Sequence, residues 1–228
     1  MNLKMYLWVT SICNLSCPLC NQKHALDTHK GYSMDMDELR AFIKSCQDRN
    51  IHFSWIELTG GEITWWTNLE EGIKLLYDSK ICDKITLATN GNNPEKIFNI
   101  SSMLDYWVVS KTQATKEQVA QYQPYNHKIN YNSAVHKPAP DKPLDNILPA
   151  TCCCSIDKYK DPYTAFLYIK NKVYYCHFTV ALSQYVDIVK DDVVCDFTDD
   201  FVAKFSNKTY DKEICTYCLC NKKIWDKI

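Results

Sequence analysis

The stretch SICNLSCPLC, residues 11–20, sets three cysteines into eight positions: Cys13, Cys17 and Cys20. Thiolates are ligands for iron–sulfur clusters and for structural zinc. A sealed zinc site takes four protein ligands. Three thiolates from one short loop can instead wrap a four-iron cubane on one side and leave its fourth iron open to bind something else. The competing assignment is a zinc site completed by His24. A later set, Cys152, Cys153, Cys154, Cys176, Cys215, Cys218 and Cys220, has the residue type for a second metal centre. Of the other cysteines, Cys46 falls on the apolar face of a predicted helix and reads as core. Cys82 and Cys195 read as structural.

Thirteen cysteines in 228 residues is an odd count, so complete internal pairing is impossible. No basic segment followed by an apolar run and cleavage site opens the chain, and no stretch reaches the roughly 18 apolar residues of a membrane span. The expectation is a cytoplasmic protein with no membrane partner, in which clustered cysteines hold metal. Its 26 basic and 27 acidic residues give a net charge of −1. That balance offers no electrostatic footprint for nucleic acid.

Alternating strands and helices must position these thiols. Residues 5–10 read as a strand, 35–49 as a helix with Asp35 and Glu38 spaced for a capping box, and 52–58 as a strand ending in Thr-Gly-Gly. A helix over 69–77, a strand over 84–89, a helix over 94–104 and a strand over 106–110 follow. A short helix at 115–122 and a strand at 128–135 complete this part. Such a rhythm implies a parallel sheet with helical crossovers, whose functional residues gather at the C-terminal ends of the strands. The cysteine loop, Gly60-Gly61-Glu62, Asn90-Gly91 and Ser110 all obey that rule. Only five glycines occur, and three of them (Gly60, Gly61 and Gly91) follow predicted strands. Four prolines in HKPAPDKPLDNILPA mark a connector, after which 164–178 reads as a hairpin turning near Lys170–Lys172.

CNLSCPLC resembles the C-x3-C-x2-C loop of the radical S-adenosylmethionine superfamily, and LTGGEI and ATNG resemble that family's segments after strands two and three. The resemblance spans residues 1 to about 135. It implies a partial (β/α)6-type TIM barrel of α/β class with a small C-terminal cysteine-rich α+β extension, divided as 1–150 and 151–228. In the family the open iron chelates S-adenosylmethionine, and one electron splits the sulfonium to a 5′-deoxyadenosyl radical that takes a hydrogen atom from substrate. Cys13, Cys17 and Cys20 then hold the first cluster. Gly60, Gly61, Glu62, Asn90, Ser110 and either Asn130 or Asn132 face the cofactor. Two departures stand out: Ile63 replaces the usual proline, and Leu19 replaces a frequent aromatic. Outside the resemblance, Ser110 also suits a cap or turn, and Asn130 and Asn132 suit ordinary polar strand positions.

The later cysteines resemble the twitch-type extension of some members of this superfamily. That implies a second, auxiliary four-iron cluster on Cys154, Cys176, Cys215 and Cys218, with Cys152 or Cys153 as alternatives to Cys154 and Cys220 as the alternative to Cys218. Zinc is the competing metal, because Cys-x2-Cys spacing alone does not separate the two. Expected partners are a small-molecule or peptide substrate and an external electron donor such as flavodoxin or ferredoxin. The first strand begins close to Met1, so no peptide-binding domain is expected ahead of it, which favours a small polar substrate or a separate recruiting partner. Rival functions are a glycyl-radical-enzyme activase, a deazapurine or nucleobase-modifying enzyme and, in another class, a non-catalytic zinc-binding module.

Overall fold

The computed structural model describes residues 2–17, 20, 29–110, 116–132, 163–174 and 194–206. Strand and helix alternate as β1 (Asn2–Thr10), α1 (Met36–Asp48), β2 (Trp55–Gly60), α2 (Leu69–Ser79), β3 (Ile85–Thr89), α3 (Pro94–Ile100), β4 (Tyr106–Ser110), α4 (Lys116–Gln121) and β5 (Ile129–Asn132). Then come β6 (Tyr163–Ile169), β7 (Lys172–Tyr174), β8 (Val194–Asp196) and α5 (Phe201–Ser206). The described strands form one open sheet in the order β5-β4-β3-β2-β1-β6-β7-β8. Every pairing from β5 through β6 is parallel, and β7 and β8 add antiparallel. The α/β class expected from the sequence is what the chain adopts.

The helices form because their apolar residues recur at helical spacing. In α1 these are Leu39, Phe42, Ile43 and Cys46, all buried; in α2 they are Leu69, Ile73 and Leu76. Asp35 caps α1 by accepting the Glu38 N–H at 2.8 Å. These side chains pack on one face of the sheet, against Met5, Leu7, Val9, Ile56, Leu58, Leu87, Trp107, Val109, Phe166 and Tyr168. Alternation along each strand sends the intervening residues to the opposite face. In-register pairs there are Lys4 with Trp55, Tyr6 with Glu57, and Glu57 with Thr86. Trp8, Leu167 and Ile169 make a separate small apolar cluster, with Tyr6 against it. Hence one face is covered by helices and the other carries a mixed row of aromatic, charged and hydroxyl residues.

Three features differ from the sequence reading. The hairpin is not an addition outside the sheet: its first arm, β6, pairs parallel with β1 from Asn2↔Tyr163 to Leu7↔Tyr168. The helix expected over 94–104 stops at Ile100 and tightens into a 3-10 turn, Ser101–Met103. There Ser101 Oγ donates to the Phe98 carbonyl at 2.7 Å, and Lys128 Nζ takes the carbonyls of Ser101 and Leu104 at 2.7 and 2.9 Å. Finally, β8 and α5 pack beneath α1, where Phe42 stacks on Phe197 and Phe166 meets Phe201 edge to face. The boundary expected at 150/151 lies outside the described residues.

Candidate functional site

The cysteine loop leaves β1 at Thr10 and returns at Tyr32–Met34, held at both ends. Ser11 N–H donates to the Tyr32 carbonyl at 2.9 Å, and Met34 N–H donates to the Val9 carbonyl at 2.8 Å. Ser11 Oγ adds bonds to the carbonyls of Tyr32, at 3.2 Å, and of His29. Cys13, Cys17 and Cys20 therefore occupy one loop at the C-terminal end of β1.

Two glycines let the end of β2 press against this loop. Gly60 has φ +145°, and a Cβ there would stand 2.1 Å from the Thr10 carbonyl oxygen. A Cβ on Gly61 would stand 2.2 Å from the Ile12 carbonyl oxygen. Both contacts are with backbone, so neither side chain can be accommodated by a rotamer change. The close approach is used: Gly61 N–H donates to Thr10 O at 2.7 Å and Glu62 N–H to Ile12 O at 2.9 Å.

Glu62 is fully buried and its carboxylate is saturated. Oε1 accepts from Thr64 N–H at 3.1 Å, Thr64 Oγ1 at 2.9 Å and Thr89 Oγ1 at 2.8 Å. Oε2 accepts from Asn90 N–H at 2.7 Å. Burial pushes this carboxyl above the usual carboxylate range, and the four donors work against that push. Glu62 thus ties the end of β2 to the end of β3. Asn90 carries the connection onward, because its Nδ2 donates to Asn14 Oδ1 at 2.9 Å and lies 4.0 Å from Cys13 Sγ.

Cys13 Sγ also accepts the Leu15 N–H at 3.4 Å. Burial, the largest influence, raises this thiol above its ordinary value; the Leu15 and Asn90 donors oppose it, while nearby Glu62 adds to it. Cys20 N–H donates to the Cys17 carbonyl at 3.2 Å, which keeps the second and third cysteines on one turn. Among the described residues no three His, Cys, Asp or Glu side chains converge as metal ligands, so the three thiols share a loop without meeting at one point. The donor set nevertheless fits an iron–sulfur cluster: three soft thiols, with N–H groups directed at the one whose surroundings are drawn above.

Ser110 ends β4 buried, in register with Asn132, and Asn130 pairs with Val108. His24, Leu19, Cys152, Cys153, Cys154, Cys176, Cys215, Cys218 and Cys220 lie outside the described residues. Cys46 is core, as its helical position implied. Sequence reasoning missed Asn14, Thr64 and Thr89, which complete the bonding around Glu62 and Asn90. Thr89 was legible as the residue before Asn90 on the strand end, whereas nothing in the spacing singled out Asn14. It also gave Glu38 a capping role that its side chain does not take. Glu38 instead accepts the Tyr32 hydroxyl at 2.9 Å, and burial raises its carboxyl, so it braces the return of the cysteine loop. Trp66 is buried and donates its Nε1–H to the Met34 carbonyl at 2.7 Å, while Trp65 stays 44% exposed.

The sequence matches the 4Fe-4S single cluster domain family over residues 3–132. No curated protein matches it. Among solved structures it is similar to BtrN in complex with AdoMet and 2-DOIA, at 13% identity and a TM-score of 0.61, covering 100% of this chain and 90% of that one. An open conformation of BtrN gives 13% identity and 0.59, covering 96% and 92%. Streptococcus suis SuiB gives 11% identity and 0.45, covering 95% and 68%. At these identities the BtrN likeness is one of fold.

Proposed function

The chain belongs to the 4Fe-4S single cluster domain family and bears out the resemblance to the radical S-adenosylmethionine superfamily; from that premise we propose that it reductively cleaves S-adenosylmethionine and takes a hydrogen atom from a small-molecule or peptide substrate. One observation carries this reading. The cysteine loop, Gly60-Gly61-Glu62 and Asn90 meet at the same end of three adjacent strands, joined through Glu62 to Asn90 and through Asn90 to Asn14. That the fold neighbour was crystallised with AdoMet supports the choice of cofactor.

In this reading the core is a partial (β/α)6-type barrel, with β6 as the sixth parallel strand. Cys13, Cys17 and Cys20 hold the first cluster, and Gly60, Gly61, Glu62, Asn90, Ser110 and Asn130 border the cofactor. When bound, the cluster and S-adenosylmethionine together supply one-electron bond cleavage and a carbon radical. The chain's own residues do the rest. The two glycines bring backbone against the loop, Glu62 locks the strand ends in place, and Asn90 sets the loop's position. Cys154, Cys176, Cys215 and Cys218 hold an auxiliary cluster in a twitch-type region. The β6–β7 hairpin supports this, since β7 ends at Tyr174 just ahead of Cys176. An external electron donor and a cytoplasmic location belong to the same reading. Among the described residues no helix is long and apolar enough to cross a membrane.

Anaerobic reconstitution tests the proposal. About eight irons and eight sulfides per chain are expected, and the reduced protein should convert S-adenosylmethionine to 5′-deoxyadenosine. Cys17→Ala should abolish that product. Cys176→Ala should fall to about four irons yet still form it. Bound zinc with no 5′-deoxyadenosine would overturn the assignment.

A further inference from the structure

We propose that Asn14 is a positioning residue for the first cluster: it steers the Asn90 amide so that one N–H faces Cys13 Sγ, and through that contact it raises the cluster's reduction potential. This deepens the function proposed above and rests on it.

Asn90 is buried, and three of its polar groups have fixed directions. Its backbone N–H donates to Glu62 Oε2 at 2.7 Å. Its Oδ1 accepts the Asn92 N–H at 3.1 Å, which turns Nδ2 toward the cysteine loop. There Nδ2 donates to Asn14 Oδ1 at 2.9 Å. The two N–H bonds of a planar amide diverge at a fixed angle, so once Asn14 takes one the direction of the other is set. Cys13 Sγ lies 4.0 Å from Nδ2, at the outer reach of a hydrogen bond to sulfur.

Cys13 sits on the arm of the loop that the strand ends grip. Gly61 N–H donates to Thr10 O at 2.7 Å, Glu62 N–H to Ile12 O at 2.9 Å, and Ile12 N–H to Thr10 Oγ1 at 3.1 Å. Leu15 N–H reaches the same sulfur at 3.4 Å. Cys13 therefore meets N–H groups from its own loop and from the end of β3. A thiolate on iron gains negative charge when its cluster takes an electron, so an N–H directed at the sulfur favours the reduced form. Asn14 is exposed and stands outside the buried apolar core, so its side chain serves this link without serving the packing.

The test is a redox titration of the reconstituted full chain, followed by electron paramagnetic resonance on the cluster signal that changes when S-adenosylmethionine is added. Asn14→Ala should keep the parent's iron content and lower that midpoint potential. The expected loss is about tenfold in the hold on the electron, or about 59 mV for one electron. Asn90→Ala should lower the potential at least as far. The double variant should fall no further than Asn90→Ala alone, because both changes break the same link. An unchanged potential in Asn14→Ala, or additive falls in the double variant, would overturn the inference. Loss of iron from Asn14→Ala would also overturn it, by showing that Asn14 holds the loop itself. Absence of any S-adenosylmethionine-sensitive cluster from the unaltered chain would instead sink the proposed function, and this inference would fall with it.

Discussion

Glu57 and Glu62 are two carboxylates on one strand and the turn that follows it; burial raises both, but their partners differ. Four donors surround Glu62 and work against its burial, and it serves as a joint between β2 and β3. Glu57 has the Thr86 hydroxyl alone working against its burial, and its carboxyl rises to about 7. The sign of the stability effect follows. Below the ordinary carboxylate value of 4.5 both folded and unfolded chains hold the proton, and Glu57 adds no pH dependence. Between that value and about 7 the folded chain keeps a proton that the unfolded chain releases, so stability falls as pH rises. Above 7 the loss is complete. Glu57→Gln should therefore unfold at a higher denaturant concentration than the parent at pH 8, by about 1–3 kcal/mol, with the gap closing toward pH 4.5. A gap independent of pH would show that Glu57 is not the titrating group.

At the scale of elements, what the sequence made legible was what short-range physics decides. Leu39, Phe42, Ile43 and Cys46 announce α1 by their spacing, and Asp35 announces its start. The glycines after β2 announce a close approach, and the structure shows the Thr10 and Ile12 carbonyls as what they approach. Long-range pairing was not legible. Residues 163–169 alternate like any hairpin arm, and nothing local says that they lie parallel beside β1. Asn14 was likewise invisible, because its value comes only from meeting Asn90 across the loop. Arg49 is the clearest case of a residue defined by distant partners. Its guanidinium donates to the carbonyls of Phe197 and Asp199 and lies 5.5 Å from the ring centres of both Phe197 and Phe201. It therefore pins β8 and α5 to the end of α1. Arg49→Ala should destabilise the chain by about 1–3 kcal/mol and raise amide exchange selectively in residues 194–206. Arg49→Lys should recover little, since an ammonium cannot reproduce the planar fork.

For the molecule as a whole, the core and the candidate metal site are built from different residues. The buried apolar cluster joins helices and sheet through side chains such as Met5, Phe42, Leu58, Ile73, Leu87 and Phe166, and none of Cys13, Cys17 or Cys20 belongs to it. Folding should not wait for metal, in contrast to small domains that a metal holds together. The chelator-stripped chain should keep its far-ultraviolet circular dichroism and a single cooperative unfolding transition, and reconstitution should raise Tm by stabilising only the native state. A stripped chain without cooperative unfolding would show that the metal site is part of the core after all.

The position of β1 has a further consequence. It leaves the ribosome before the other described strands, yet it finishes in the interior of the sheet, between β2 and β6. One flank is covered early, when β2 emerges. The other, lined on the core side by Leu3, Met5, Leu7 and Val9, stays bare until Tyr163–Ile169 has been synthesised. Through that interval the nascent chain presents an apolar edge ready to pair with whatever strand it meets, which makes translation speed and chaperone capture determinants of its yield.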